Sequence, residues 1–129
     1  MVVKLKRKYV KIYMKGSDMV KKIAVFTDIH GNYEALKSIV GDIKKDNFDE
    51  VICLGDLTGI GPSPKECLDL VRKENIKLLL GNHELYQLKG TDIDSSAEHV
   101  KEHEAWVKGN YTDDDISYLE NYLFLCPLL

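Results

Sequence analysis

The stretch Ile23–Asn32, IAVFTDIHGN, joins a compact apolar run to a short polar motif. The run from Ile23 to Thr27 is rich in β-branched and aromatic residues and has the length of a buried strand. The motif that follows contains Asp28 and His30, and Gly31 permits a tight turn after them. Ligands of open α/β sheets collect where strands end. This stretch therefore predicts a first strand with a functional loop at its carboxyl end.

Two later stretches repeat the arrangement. The apolar run Val51–Leu54 is followed by Gly55–Gly59, GDLTG, and the apolar run Ile76–Leu80 is followed by Gly81–Glu84, GNHE. Each polar motif again comes directly after a segment that is short and apolar enough to be a buried strand. The chain therefore contains three strand-and-motif units in sequence.

The segments between these runs have helical periodicity. Tyr33–Lys45 carries apolar residues on one helical face, and a second helix is predicted after the loop that ends at Ser63, with Pro64 in its first turn. The two apolar faces consist of Ala35, Leu36, Ile39, Val40 and Ile43, and of Cys67, Leu68, Leu70 and Val71. Buried strands that alternate with helices predict an α/β fold, a layered β-α-β-α-β parallel sheet with right-handed crossovers.

The spacing of three polar residues predicts a metal site. Asp28, Asp56 and Asn82 lie 28 and 26 residues apart, about one strand-helix-strand unit each, so a parallel sheet brings them to one edge. Carboxylates that meet there would repel one another and any phosphate unless cations lie between them. Carboxylate and imidazole ligands suit Mn, Fe, Zn or Mg, and Asp56 is the natural bridge between two divalent metal ions.

Composition limits the class of protein. The 129 residues make one small domain or a piece of a larger protein, and 44% hydrophobic with 30% charged residues is typical of a globular chain. No apolar run approaches the roughly 20 residues of a membrane-spanning helix, and the basic N-terminus lacks the apolar core of a secretory signal. We interpret Cys53, Cys67 and Cys126 as reduced core residues. These features together predict a cytoplasmic protein.

Residues 1–18 form a basic N-terminal extension with two interpretations. They contain six Lys or Arg and one Asp, whereas the rest of the chain contains 12 basic and 20 acidic residues. The extension could be a basic arm for nucleic acid or anionic lipid. Alternatively it lies outside the domain and is not native, because Met19 directly precedes the first predicted strand and could be the true start. The acidic body itself predicts a poor nucleic-acid binder, except where nucleic acid is a substrate.

Ala97–Lys108 is predicted to form an amphipathic helix with Val100 and Trp106 facing inward. His99 and His103 lie four residues apart on it and could bind a metal on the helix surface. The alternative is that both belong to a solvated face, since Glu and Lys surround them.

The three motifs resemble those of the calcineurin-like metallophosphoesterase family, whose pattern is D-x-H, then G-D-x-x-G, then G-N-H-[DE]. The resemblance implies that Asp28 and His30 bind a first metal ion and that Asp56 bridges two. It further implies that Asn82 binds the second ion and contacts the substrate phosphate. The implied fold is the N-terminal part of a metallophosphoesterase α/β sandwich, and the implied activity is hydrolysis of phosphomonoesters or phosphodiesters at a two-metal site.

The third motif would supply the remaining catalytic residues. By the same resemblance, His83 would donate a proton to the leaving oxygen, which an imidazole next to an acidic group is suited to do. Glu84 would be the acidic group that orients His83. Asn82 would act beside them on the phosphate.

The resemblance covers the chain from Met19 into the region of residues 106–123, but it does not include all of the family pattern. Family members add later metal ligands from an H-G-S-like segment and a final G-H-x-H, and this chain has no histidine after His103. We therefore expect residues 19–129 to be a phosphoesterase domain that is truncated at its C-terminus. Two hypotheses follow: an enzyme whose site is completed by a second chain or a homodimer, or an inactive fragment with at most weak metal binding.

Overall fold

A five-stranded sheet organises the protein in its computed structural model. The structure describes residues 2–6, 9–15, 20–90 and 98–123. The strands are β1 (Val2–Lys6), β2 (Tyr9–Lys15), β3 (Val20–Phe26), β4 (Glu50–Cys53) and β5 (Lys77–Leu78), and they lie in the sheet in that order. The pairs β1–β2 and β2–β3 are antiparallel, whereas β3–β4 and β4–β5 are parallel.

The parallel part confirms the predicted fold class. The strands β3, β4 and β5 overlap the three predicted apolar runs, and one or two residues separate the end of each strand from its polar motif. In register, Ala24 lies opposite Val51 and Phe26 lies opposite Cys53. The shortest strand is β5, which has two residues instead of the five in the predicted run. The α/β layered arrangement therefore follows from the local pattern, and only the strand ends differ.

Helices α1 (Tyr33–Lys45) and α2 (Pro64–Lys73) connect the parallel strands. The predicted bounds of α1 are confirmed, and Asn32 begins it by accepting a hydrogen bond from the backbone N–H of Ala35 at 3.0 Å. Pro64 occupies the first turn of α2, as predicted. The N-cap Asn32 also belongs to the first polar motif, so the first loop is fixed to the start of a helix.

Both helices contribute one apolar face to the core. The buried side chains on them are Leu36, Ile39, Val40 and Ile43 on α1, and Pro64, Cys67, Leu68 and Val71 on α2. All of them except Pro64 pack with Ala24, Phe26, Cys53 and Leu78 of the sheet in one cluster. Burial of this apolar area supplies the main favourable free energy for the layered fold.

Three further helices follow the sheet: α3 (Asn82–Lys89), α4 (Glu98–Gly109) and α5 (Asp113–Leu123). The predicted helix over 97–108 is found as α4, but the prediction that Trp106 faces inward is wrong, because its side chain is 46% exposed. The buried side chains of α4 are Glu104 and Val107. At about 100° per residue, Trp106 lies on the far side of the helix from Glu104.

The strands β1 and β2 extend the sheet into the segment predicted as a basic extension. The pairing of β2 with β3 runs from Val10 opposite Val25 to Lys15 opposite Val20. The proposed boundary at Met19 lies outside the described residues.

Cys53 and Cys67 are buried free thiols, as predicted, whereas Cys126 lies outside the described residues. Burial raises the pKa of each of these two thiols to about 12. Within the described ranges, none of the helices is both long enough and apolar enough to span a membrane.

Candidate metal centre

The loops after β3 and β4 run side by side beyond the ends of the strands. The backbone N–H of Asp28 donates to the carbonyl of Gly55 at 3.2 Å, and the N–H of His30 donates to the carbonyl of Asp56 at 2.9 Å. These bonds continue the direction of the parallel pairing into the loops. The first two polar motifs therefore form one hydrogen-bonded unit at the sheet edge where their spacing places them.

Three polar residues of these loops have left-handed backbone. The φ angles are +58° at Asp28, +50° at His30 and +49° at Asp56. Such a conformation costs a residue other than glycine about 1–3 kcal/mol, and it persists only where the surrounding structure enforces it. Aspartate and histidine enter this region more readily than most residues. Three strained residues in adjacent loops indicate that the positions of these side chains matter more than local stability.

The same three residues bring metal-ligating atoms together. Asp28, His30 and Asp56 each offer one ligand atom, and these atoms all lie within 4.8 Å of one another. Nε2 of His30 lies 3.5 Å from Oδ1 of Asp28. Nδ1 of His30 is buried and has no hydrogen-bond partner in the described part of the chain. Two carboxylates and an imidazole are a donor set that divalent Mn, Fe, Zn or Mg accepts, so the residues present fit a metal ion.

The third motif joins this cluster through the start of α3. Asn82 is the first residue of α3 and is exposed, and the backbone N–H of His83 donates to Oδ1 of Asp56 at 3.2 Å. Gly81 lies so close to Asp56 that a Cβ there would overlap its carboxylate and its backbone nitrogen. The motif requires glycine at position 81 because a side chain there would not fit next to Asp56. The next residue, Asn82, therefore lies beside the predicted bridging residue.

Glu84 has a different role from the predicted one. Its side chain is 0% exposed, and its two carboxylate oxygens accept hydrogen bonds from both neighbouring loops. Oε2 accepts from the backbone N–H groups of Asp56 and Gly81, each at 2.9 Å. Oε1 accepts from the backbone N–H and the hydroxyl of Thr58, each at 3.0 Å. Glu84 thus ties the second motif to the start of α3.

The acidic partner of His83 is Glu104, in place of the predicted Glu84. Nδ1 of His83 lies 2.7 Å from Oε1 of Glu104, a buried residue of α4. The second carboxylate oxygen of Glu104 accepts a hydrogen bond from Nε2 of Gln87 at 3.1 Å. Sequence reasoning missed Glu104 because an acidic residue on an amphipathic helix normally faces water.

The two histidines of α4 are apart from these interactions. His99 is exposed, and the His103 ring lies 5.5 Å from the Trp106 ring with 33° between their planes. In the described ranges, the residue group with metal-binding geometry is the one in the β3 and β4 loops. The solvated-face interpretation therefore fits His99.

A cleft of about 540 Å³ opens beside the metal-ligating residues. It is lined by residues 28–34 and 60–63, so one wall contains Asp28 and His30 and the other contains Ile60. Ile60 is 65% exposed and has a φ of +56°, which is unusual for a β-branched residue. The cleft therefore opens onto two of the three metal-ligating residues.

Comparison with known proteins supports the resemblance. A family model described as calcineurin-like phosphoesterase matches residues 21–126. The chain is 35% identical over 104 residues to an uncharacterized protein of Methanocaldococcus jannaschii, covering 80% of this chain and 43% of that protein. It is 32% identical over 108 residues to a symmetrical bis(5'-nucleosyl)-tetraphosphatase of Actinobacillus pleuropneumoniae, covering 81% of this chain and 38% of that protein.

A solved structure shares the fold. The crystal structure of a metallophosphoesterase from Sphaerobacter thermophilus aligns with a TM-score of 0.60 and 30% identity, covering 76% of this chain and 40% of that one. The chain therefore spans less than half the length of these relatives.

Proposed function

Because this chain belongs to the calcineurin-like phosphoesterase family, we propose that it provides a two-metal site for the hydrolysis of phosphate esters. The observation that carries the proposal is the convergence of Asp28, His30 and Asp56, whose ligand atoms lie within 4.8 Å of one another. Their strained backbone and the adjacent cleft are typical of a reaction site. The proposed substrates are phosphomonoesters or phosphodiesters.

Four residues would hold the metal ions. Asp28 and His30 would bind the first, Asp56 would bind both, and Asn82 would bind the second. When bound, divalent ions supply Lewis-acid stabilisation of phosphoryl charge and a water that is easier to deprotonate. The protein's own contribution is to fix the carboxylates: the amide of His83 keeps the Asp56 side chain oriented at 3.2 Å.

His83 and Asn82 would act on the ester itself. With the Nδ1 proton of His83 hydrogen-bonded to Glu104, the doubly protonated ring would transfer its Nε2 proton to the leaving oxygen and become neutral. The His83 ring lies 5.0 Å from the His30 ring at 82°, so it lies next to a proposed metal ligand. The Asn82 amide would donate to a phosphoryl oxygen, which stabilises charge that develops during the displacement.

The test is hydrolysis by the purified 129-residue chain with added Mn²⁺. The substrates are p-nitrophenyl phosphate, bis-p-nitrophenyl phosphate and diadenosine tetraphosphate, the last because several relatives are named as bis(5'-nucleosyl)-tetraphosphatases. Asp56→Asn is expected to abolish turnover, whereas the exposed Asp113→Asn on α5 is expected to leave it unchanged. Mn²⁺ binding is measured in parallel by electron paramagnetic resonance.

The outcomes separate the alternatives. Turnover that Asp56→Asn removes supports the enzyme, and sedimentation of the active species would then show whether a homodimer completes the site. Mn²⁺ binding without turnover supports the inactive fragment that retains weak metal binding. A folded chain with neither property refutes the proposed function for this polypeptide.

A further inference from the structure

The His83 ring is confined on several sides. Its plane is nearly perpendicular to the rings of His30 and Tyr86, at 82° and 73°, with ring centroids 5.0 and 5.7 Å away. Gly59 packs against it so closely that a Cβ at position 59 would overlap Nδ1 of the ring. These contacts restrict the ring's position, but packing alone does not distinguish its two nitrogens.

Glu104 makes that distinction. Its Oε1 lies 2.7 Å from Nδ1 of His83, and the two side chains are only 4% and 14% exposed. A carboxylate accepts hydrogen bonds, so this contact requires a proton on Nδ1, whether or not Nε2 carries a second one. A charge-assisted hydrogen bond with little competing water is strong enough to fix which nitrogen faces Glu104.

The second carboxylate oxygen of Glu104 also has a hydrogen-bond partner. Its Oε2 accepts a hydrogen bond from Nε2 of Gln87 at 3.1 Å, and Oε1 of Gln87 lies 3.2 Å from the hydroxyl of Thr58. Gln87 and Thr58 are buried, so water does not compete for these partners. The carboxylate therefore has a fixed orientation, which a surface glutamate on α4 would not have.

We propose that Glu104 is the positioning residue for His83: it orients the ring by accepting a hydrogen bond from Nδ1, which leaves Nε2 as the nitrogen for proton transfer. The proposal rests on the proposed function and assigns a role to α4, an element outside the three polar motifs. Glu104 follows His83 by 21 residues, and among the described residues it is the carboxylate that contacts the His83 ring. Glu104 acts through His83 and does not itself touch the substrate.

The first test is a double-mutant cycle on the full chain with Mn²⁺. Glu104→Gln keeps the side-chain shape and is expected to lower kcat for p-nitrophenyl phosphate about 10- to 100-fold, with KM nearly unchanged. In a His83→Ala background the same substitution is expected to have no further effect. The exposed Glu102→Gln on the same helix is the matched control and is expected to leave kcat unchanged.

Equal losses in both backgrounds would mean that Glu104 only stabilises the fold, and the proposal would be overturned. No loss of kcat in Glu104→Gln would overturn it as well. A further expectation concerns the leaving group: phenyl phosphate needs protonation more than p-nitrophenyl phosphate, so its hydrolysis should suffer the larger loss.

The second test does not depend on turnover. Imidazole ¹⁵N shifts of the metal-free chain report which nitrogen of His83 carries a proton, and Glu104→Leu removes the acceptor. We expect a protonated Nδ1 in the unsubstituted chain and loss of this preference in Glu104→Leu, or in Glu104→Gln if the leucine variant does not fold. An unprotonated Nδ1 in the unsubstituted chain would overturn the proposal. A chain that lacks turnover but passes this test refutes the proposed function while keeping the assignment of Glu104.

Discussion

Replacing Glu84 by glutamine is expected to lower the free energy of unfolding by about 1.5–3 kcal/mol. The two oxygens of Glu84 accept four hydrogen bonds: two from backbone N–H groups of Asp56 and Gly81, and two from Thr58. A glutamine has only one oxygen, so its NH₂ group faces either the two backbone N–H groups of Asp56 and Gly81 or the N–H and hydroxyl of Thr58. The hydroxyl can turn and accept from the NH₂ group, but a backbone N–H cannot. At least one hydrogen bond to a charged group is therefore lost, at about 1.5–3 kcal/mol.

The assay is urea unfolding followed by circular dichroism, with extrapolation to water. Glu120→Gln is the matched control because Glu120 is exposed on α5, and its effect should stay within about 0.5 kcal/mol. A loss below about 1 kcal/mol in Glu84→Gln would refute the reasoning, because it would mean that the loops do not depend on this carboxylate. The result also distinguishes Glu84 from Glu104. A residue that only orients His83 is expected to change kcat more than the free energy of unfolding.

Three further predictions concern stability and reactivity. Burial acts to raise the pKa of Asp115, but hydrogen bonds from the amide and hydroxyl of Thr112 lower that pKa below its usual value. The resulting stability is present above the unfolded pKa of about 4 and is lost as pH falls toward the folded pKa. Asp115→Asn weakens the hydrogen bonds from Thr112 and should lower the free energy of unfolding at pH 7 by about 2 kcal/mol, the order of one hydrogen bond to a charged group. Urea unfolding should show this difference shrinking below about pH 4. Ile60→Asn should raise the unfolding free energy by about 1 kcal/mol, because asparagine tolerates a positive φ better and the isoleucine is mostly exposed, whereas Ile60→Val should give no gain. Cys53 and Cys67, with pKa values of about 12, should react with iodoacetamide at pH 8 only as fast as the chain unfolds; rapid labelling in the folded state, seen by peptide mass spectrometry, would contradict their burial.

The sequence predicts those parts of the structure that depend on local pattern. The bounds of α1 follow from its apolar face and from Asn32, which has both the position and the side chain of an N-cap. Asp28 and Asp56 come together because each directly follows a buried parallel strand. Strand length is less predictable, since β5 has only two paired residues in a run of five apolar ones.

The partner of His83 depends on tertiary packing that the local pattern does not specify. On α4, Glu104 and Val107 lie three residues apart and therefore share a face, so burial of Val107 against the core also buries Glu104. Nothing in the helix itself marks this glutamate, because its neighbours Glu98 and Glu102 have the same chemistry and are exposed. Trp106 is exposed for a related reason. Its position around the helix relative to Glu104 and Val107, and not its size, decides whether it reaches the core.

The hydrogen bonds that join the loops after β3 and β4 have a consequence for motion. The N–H groups of His30 and Gly31 donate to the carbonyl oxygens of Asp56 and Leu57 at 2.9 Å. The two loops therefore extend the hydrogen bonding of the sheet beyond the strand ends. Loops at binding sites usually open with little free energy, independently of the rest of the protein. Here, opening would break contacts that belong to the sheet. We therefore expect the amide hydrogens of His30 and Gly31 to exchange with solvent only when the central sheet itself opens, as part of one cooperative unit.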